Sequence, residues 1–433
     1  MLKELMKNNK VKYVLVSFSD LRGVMRSKLV PYSAVDHLMK SGAGFAGFAT
    51  YLGLLPSDPD IVVFPDPRSF TILPWNREVA WVTGDLFMDG KLLPQAPRNI
   101  LKAVTQKVAA VNMTFCSGVE PEFVLLSKKA HEIADKDDQS QKPCYDQVAL
   151  MRNYEFVKSV CDSLQFLNWD PYQNDHEDAP GQFEINWKFS DAVQTADRHF
   201  FFKYMVKTIA EQFDTKATFM PKPFSNFTGN GCHIHCSMWD LDGKTNLFVD
   251  NKGELGLSGL AYHFIGGILE HAKALCALTN PAVNSYKRLN AKGSLSGSTW
   301  APNTVTYGGN NRSHMIRIPD SDRVEFRLPD GAANPYLLQA GVLAAGFLGI
   351  SESIDPGRRR DDNAYSAGES FKDIQVQLPS GLTEVLFELK KNKKFTSFLG
   401  EEFVDRFIQL KQSEEIEYQK QVCGWEIETT VDC

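Results

Sequence analysis

Four stretches of the sequence combine residue types and spacings that could do chemistry. In Glu120-Pro121-Glu122-Phe123 two carboxylates lie two residues apart, which on a strand puts them on one face. Like charges that close repel unless a cation binds between them. The flanking Val119 and Phe123-Val124-Leu125-Leu126 suggest a buried strand, where carboxylates need partners; an exposed strand edge is the alternative. The segment His176-Glu177-Asp178-Ala179-Pro180-Gly181-Gln182-Phe183-Glu184 is an acidic loop entering a strand that carries Glu184. A surface turn explains it equally well unless other carboxylates meet it.

The third stretch is Gly229-Asn230-Gly231-Cys232-His233-Ile234-His235-Cys236-Ser237. In an extended strand His233, His235 and Ser237 share one face and the two cysteines the other, which disfavours a zinc site using both thiols. A His-x-His face beside glycines that admit close backbone approach suits a metal and phosphate site, or a pair of hydrogen-bonded structural histidines. The fourth is a cluster of arginines: Arg288, Arg312, Arg317, Arg323 and Arg327, the last two flanking Glu325. Guanidinium forks grip carboxylates and phosphates. Arg323, Glu325 and Arg327 could form an ion-pair ladder on one strand face, yet so many arginines in an acidic chain favour an anionic substrate. Carboxylates and a histidine for hard divalent cations, with arginines for phosphate and carboxylate, are the equipment of phosphoryl transfer. Neither a Walker A sequence nor a kinase Gly-rich loop with its Lys is present.

Positioning these residues takes two kinds of framework. Residues 11–18 and 24–30 read as a hairpin, followed by a short helix over 34–39, the glycine-rich 41–53, and strand-like runs at 70–73 and 79–82. Residues 1–95 therefore read as a small β-rich domain. Proline-containing 92–99 reads as a junction into a helix over 100–110. Beyond it, strands expected at 123–126, 182–187, 232–238 and 324–328 alternate with helical patterns at 151–167, 193–213, 256–277 and 334–350. This predicts an α+β catalytic domain over 96–433, helical and charged from 370 onward, with no third domain.

Composition narrows the field. The chain has 433 residues, with 47 Lys+Arg against 53 Asp+Glu for a net charge of −6, and 43% hydrophobic and 11% aromatic residues. That supports a sizeable core and excludes disorder. A mildly acidic balance argues against nucleic acid as partner, and Arg358-Arg359-Arg360 runs straight into Asp361-Asp362 as a solvated loop would. Eight cysteines without CxxC spacing, a charged N-terminus and no long apolar stretch point to a reducing, cytoplasmic setting away from membranes.

In their order, GVEPEF, HEDAPGQFE, KPFSNFTGNGCHIHCS, NSYKRL, NNRSHMIRIP and RVEFRLPDGAANPYL resemble the glutamine synthetase superfamily. The resemblance is closest to the branch with type III (GlnT-like) glutamine synthetases and γ-glutamylmethylamide synthetases, and weaker over the last eighty or so residues. It implies an N-terminal β-grasp domain, a catalytic domain on a curved antiparallel sheet, and hexameric rings, usually stacked as dodecamers, with active sites between subunits. It further implies ATP and two or more Mg²⁺ or Mn²⁺ ions per site. Glu122, Glu177 and Glu184 would hold one metal, and Glu120, His233 and Glu325 the other. Arg312 and Arg323, helped by Arg317, would steady the phosphates; His235 and Ser237 would line the nucleotide pocket; and Gly229, Arg288 and Arg327 would hold glutamate. Where ammonia-using members carry Phe-Asp-Gly-Ser-Ser, this chain has Phe45-Ala46-Gly47-Phe48-Ala49. Where they carry a flap Glu before Ala-Pro, it has Trp300-Ala301-Pro302 after a longer flap at 290–299. Ammonium needs carboxylates, whereas a methyl-bearing amine gains about 0.8 kcal/mol per buried carbon, so Ala46 and Trp300 favour an alkylamine such as methylamine. Ammonia bound through other groups, and a non-catalytic structural relative, are the alternatives. Tyr365 lies near the position that some members adenylylate, without the Leu-Pro that follows it there.

Overall fold

The β-branched and aromatic run after residue 11 forms β1 (Tyr13–Ser19), which turns into β2 (Met25–Pro31) in antiparallel register. Asp20 makes the turn: its Oδ1 accepts the backbone N–H groups of Arg22 and Val24 at 3.1 and 3.0 Å, local bonding of the kind that brings Asp to turns. In the computed structural model, which describes residues 1–129, 131–291, 293–365 and 376–433, this hairpin joins β3 (Ala43–Phe45), β4 (Ile61–Pro65), β5 (Thr71–Leu73), β6 (Asn76–Met88) and β7 (Lys91–Leu92). They form one seven-stranded sheet in the order β2-β1-β6-β4-β3, with β5 and β7 also paired to β6; β1 and β6 run parallel.

Two further sheets carry the rest. One has six strands: β8 (Met113–Pro121), β12 (Ser190–Asp191), β14 (Cys232–Asp240), β15 (Tyr307–Gly308), β16 (Ile316–Asp320) and β17 (Arg323–Phe326), in the order β12-β8-β14-β17-β16-β15. The other has β9 (Phe123–Ser127), β10 (Pro171–His176), β11 (Gln182–Trp187) and β13 (Thr215–Thr218), in the order β10-β11-β9-β13. The single strand expected around Glu120 and Glu122 is thus two strands in two sheets, and Glu122 sits at the break. The helical pattern at 151–167 is likewise two helices, Gln147–Arg152 and Tyr154–Phe166, divided at Asn153.

Long helices back the sheets. Gly259–Thr279 and Pro335–Glu352 are apolar nearly all round and buried. They cross so closely that a Cβ on Gly267 would lie 2.2 Å from the carbonyl oxygen of Ala345 and 2.6 Å from the nitrogen of Gly349, an approach only glycine permits. Helices Leu382–Lys391, Lys393–Leu399 and Glu401–Gln419 close the far side; the first part of the charged region expected from 370, residues 370–375, lies outside the described residues.

A buried guanidinium ties the N-terminal sheet to these layers. Arg98, on the helix Pro97–Ala109, bonds Asp66 at 2.9 Å and Asp85 at 2.6 Å from the sheet side, and Asp197 at 3.1 Å on the helix Ala192–Gln212. Tyr336 donates its hydroxyl to the same Asp197 at 2.8 Å. Among the described residues no helix is long and apolar enough to cross a membrane.

Candidate active site

Strand β14 places the histidines. Its alternation sends Cys232 and Cys236 into the apolar core and turns His233 and His235 toward Glu120, which faces His233 across the β8–β14 ladder. His235 Nε2 lies 2.9 Å from Glu120 Oε1, and His233 Nδ1 lies 3.4 Å from its Oε2. Burial by itself would push the Glu120 carboxyl up; the two imidazoles outweigh it and hold the group well below the usual carboxylate range. Arg323 donates Nε to His235 Nδ1 at 3.2 Å, which leaves Nε2 as the protonated nitrogen facing Glu120.

Next to β14, β17 and β16 supply the basic wall. Glu325 is buried and accepts from Arg317 Nη1 at 2.7 Å and from Arg327 Nη1. Arg327 and both histidines outweigh burial and bring its carboxyl down to about 2. The ion-pair ladder therefore exists in part: Arg327 and Arg317 clasp Glu325, while Arg323 turns to Asp320 and His235.

Opposite stand the acids of the smaller sheet. Glu122, at the break between β8 and β9, accepts the Gly231 N–H at 2.8 Å and Gln182 Nε2 at 2.9 Å. Gly231 gives these groups room: an added Cβ would lie 2.9 Å from Glu122 Oε1 and 3.1 Å from both Arg288 Nη2 and His233 Nε2, and would displace them. Strand β11 carries Glu184, steadied by Asn186 Nδ2 at 3.0 Å, and Glu177 lies on the loop before it. Burial, and then the neighbouring carboxylates, hold Glu177 and Glu184 well above the ordinary range. Asp175 at the end of β10 is pushed up to about 6 by burial and by Glu120 and Glu122.

These walls enclose a cleft of about 880 Å³ lined by Glu120, Glu122, Glu177, Glu184, His233, His235, Gly229, Arg288, Trp300, Arg312, Arg317, Arg323 and Arg327. Three expected residues stand elsewhere. Glu325 lies just beneath the lining, behind Arg317 and Arg327. Ser237 is buried and accepts Trp239 Nε1 at 2.9 Å. Ala46 is exposed just after β3 of the N-terminal sheet, outside the cleft of its own chain. Tyr365, half-exposed, places its hydroxyl 3.5 Å from the carbonyl oxygen of Arg312.

A divalent cation fits this arrangement. His233 Nε2 and Asp175 Oδ1 are buried without a hydrogen-bond partner, the orphaned atoms that a ligated ion would satisfy. Ligand atoms of Glu120, Glu184 and His233 lie within 4.8 Å of one another, as do those of Glu120, His235 and Glu325. These groupings share Glu120 and differ from the division expected from sequence, which joined Glu184 to Glu122 and Glu177 and left His235 out; one oxygen of Glu122 is engaged by Gly231 and Gln182.

The cleft also contains residues that sequence reasoning passed over. Asp175 precedes the acidic loop by one position and could have been read with it. Cys144, Tyr145 and Tyr172 also line the cleft, and their local sequence gave no sign of it. Asp178 was noted only as part of the acid run, yet its Oδ2 accepts Trp300 Nε1 at 2.8 Å and Thr228 Oγ1 at 2.7 Å. The flap tryptophan therefore meets a carboxylate where an all-apolar wall was expected.

A family profile described as "Glutamine synthetase, catalytic domain" matches residues 94–430. Over 422 residues the chain is 51% identical to a "Glutamine synthetase" of Rhizobium meliloti (strain 1021), covering 98% of this chain and 97% of that one. It is 43% identical over 438 residues to a "Glutamate--methylamine ligase" of Methyloversatilis universalis, covering 99% and 98%. A solved structure described as "GmaS/ADP complex-Conformation 1" superposes with a TM-score of 0.96 at 49% identity over 100% of both chains. The cleft, the curved sheets and these likenesses agree: the chain belongs to the glutamine synthetase family of ATP-dependent ligases.

Proposed function

We propose that the chain joins the γ-carboxylate of glutamate to a small primary amine at the expense of ATP, through γ-glutamyl phosphate, with methylamine as the favoured amine. What carries this reading is the convergence in one cleft of four glutamates and two histidines with five arginines. Glu120, Glu122, Glu177, Glu184 and His233, with Glu325 behind them, would hold Mg²⁺ or Mn²⁺, which when bound neutralises phosphate charge during transfer. Arg312, Arg317 and Arg323 would steady the phosphates, with His235 lining the nucleotide side. Arg288 is buried with Nη1 donating to the Leu328 carbonyl at 3.0 Å, and it presents its remaining donors with Arg327 and the Gly229 backbone to glutamate.

The amine is chosen by the flap. Trp300 brings an indole to the cleft where an acid would serve ammonium, and the one acid it meets already accepts protein donors. A methyl group gains from such a wall and a bare ammonium does not. Ala46 lies outside the cleft of its own chain, so its part in the amine pocket requires a neighbouring copy, as in hexameric rings stacked into dodecamers. Eight unpaired thiols suit a reducing cytoplasm. The second reading is glutamine synthetase using ammonia, favoured by the name of the Rhizobium meliloti relative.

Phosphate release with ATP, glutamate and a panel of amines at equal free-base concentration decides between them. Methylamine should exceed ammonia in kcat/KM by about 10 to 200-fold, the range that one buried carbon provides. Ammonia used at least as efficiently as methylamine would establish the second reading.

A further inference from the structure

Asp178 is a buried carboxylate on which three separate segments of chain converge. Its Oδ2 accepts Thr228 Oγ1 at 2.7 Å, Trp300 Nε1 at 2.8 Å and the Ser296 hydroxyl, and Cys144 Sγ approaches Oδ1 at 3.6 Å. Two of those donors, Ser296 and Trp300, belong to the flap, and Trp300 lines the cleft. The tryptophan stands at a φ of 52°, in the left-handed region that a bulky side chain enters at a cost of about 1–3 kcal/mol and holds only where its surroundings fix it. Its hydrogen bond to Asp178 is the directed, charge-assisted contact that fixes it. Since Oδ2 already takes three protein donors, Asp178 has little capacity left for an ammonium ion at that oxygen.

We propose that Asp178 is a positioning residue for amine selection: it latches the flap through Trp300 and Ser296 and so sets the indole as the wall against which the amine packs. The inference rests on the ligase reading above and deepens it. Selectivity then depends on two partners acting as a unit, the carboxylate and the indole N–H, and not on the aromatic ring alone.

Trp300→Phe keeps a ring and deletes the donor; Asp178→Asn keeps the shape and weakens the acceptor. In each variant the amine KM should rise about tenfold, more than kcat falls, and the ratio of kcat/KM for methylamine over ammonia should shift by about tenfold. The double variant should be no worse than the more impaired single one, as coupled partners require. Limited proteolysis within 290–299 should be faster in both variants, a readout that needs no amine. If the parent prefers ammonia, the methylamine reading fails while the latch still stands or falls on these shifts. An unchanged selectivity ratio overturns the proposal, including when proteolysis alone accelerates. Should Asp178→Asn melt well below the parent, Trp300→Phe by itself decides.

Discussion

Where the N-terminal sheet meets the catalytic layers, one buried guanidinium, Arg98, is ringed by Asp66, Asp85 and Asp197. In the cleft, four glutamates and Asp175 share one space, with His233 Nε2 and Asp175 Oδ1 left unbonded. Around Arg98 each carboxylate has a cation partner: Arg68 and Arg98 outweigh burial and hold Asp66 well below its ordinary value, although full burial leaves Asp197 raised. In the cleft, burial and then like charges raise Glu177 and Glu184. A network that serves the fold satisfies its own charges, whereas one that serves a ligand leaves them for the ligand to satisfy.

Breaking each network should therefore damage different things. Glu122→Ala should abolish turnover, a loss of about a thousandfold or more in phosphate release at saturating Mg²⁺, because it removes a cleft carboxylate proposed to hold a cation. Near-normal rates would remove Glu122 from that role. Arg98→Ala should instead cost stability, about 3–5 kcal/mol in denaturant unfolding, by leaving buried carboxylates unpaired. Its activity loss should follow the unfolded fraction.

A smaller effect sharpens the contrast through pH. Glu177 and Glu184 bind protons more tightly in the fold than in the unfolded chain, so lowering the pH from neutral favours the fold and opposes cation binding there. The gain in melting temperature on adding Mg²⁺ should thus be larger at pH 8 than at pH 6. A gain independent of pH would mean that these two carboxylates are not where the cation binds.

Much of this was legible in the sequence, for identifiable reasons. Period-two alternation separated His233 and His235 from Cys232 and Cys236, and the strand β14 obeys it. Apolar runs located the long helices to within a few residues. The break at Glu122 was not legible: a nine-residue strand and a five-residue strand abut there, and local sequence does not say when a chain changes sheets. Nor was the Asp178–Trp300 bond, which joins positions far apart in sequence, so that the indole read as apolar area and its N–H went uncounted. Strand β10 has only Tyr172 as a strong β-former among its Pro, Gln, Asn, Asp and His, and is held by pairing with β11.

Glu184→Gln tests most directly whether the cleft acids are held together for a ligand and against their own repulsion. Glutamine mimics the protonated carboxyl that crowding already favours and can still accept from Asn186. Measured without divalent cations, the variant should melt no lower than the parent while losing Mg²⁺-dependent phosphate release. A variant that melts well below the parent, as Arg98→Ala should, would show that Glu184 serves the fold and would contradict the account.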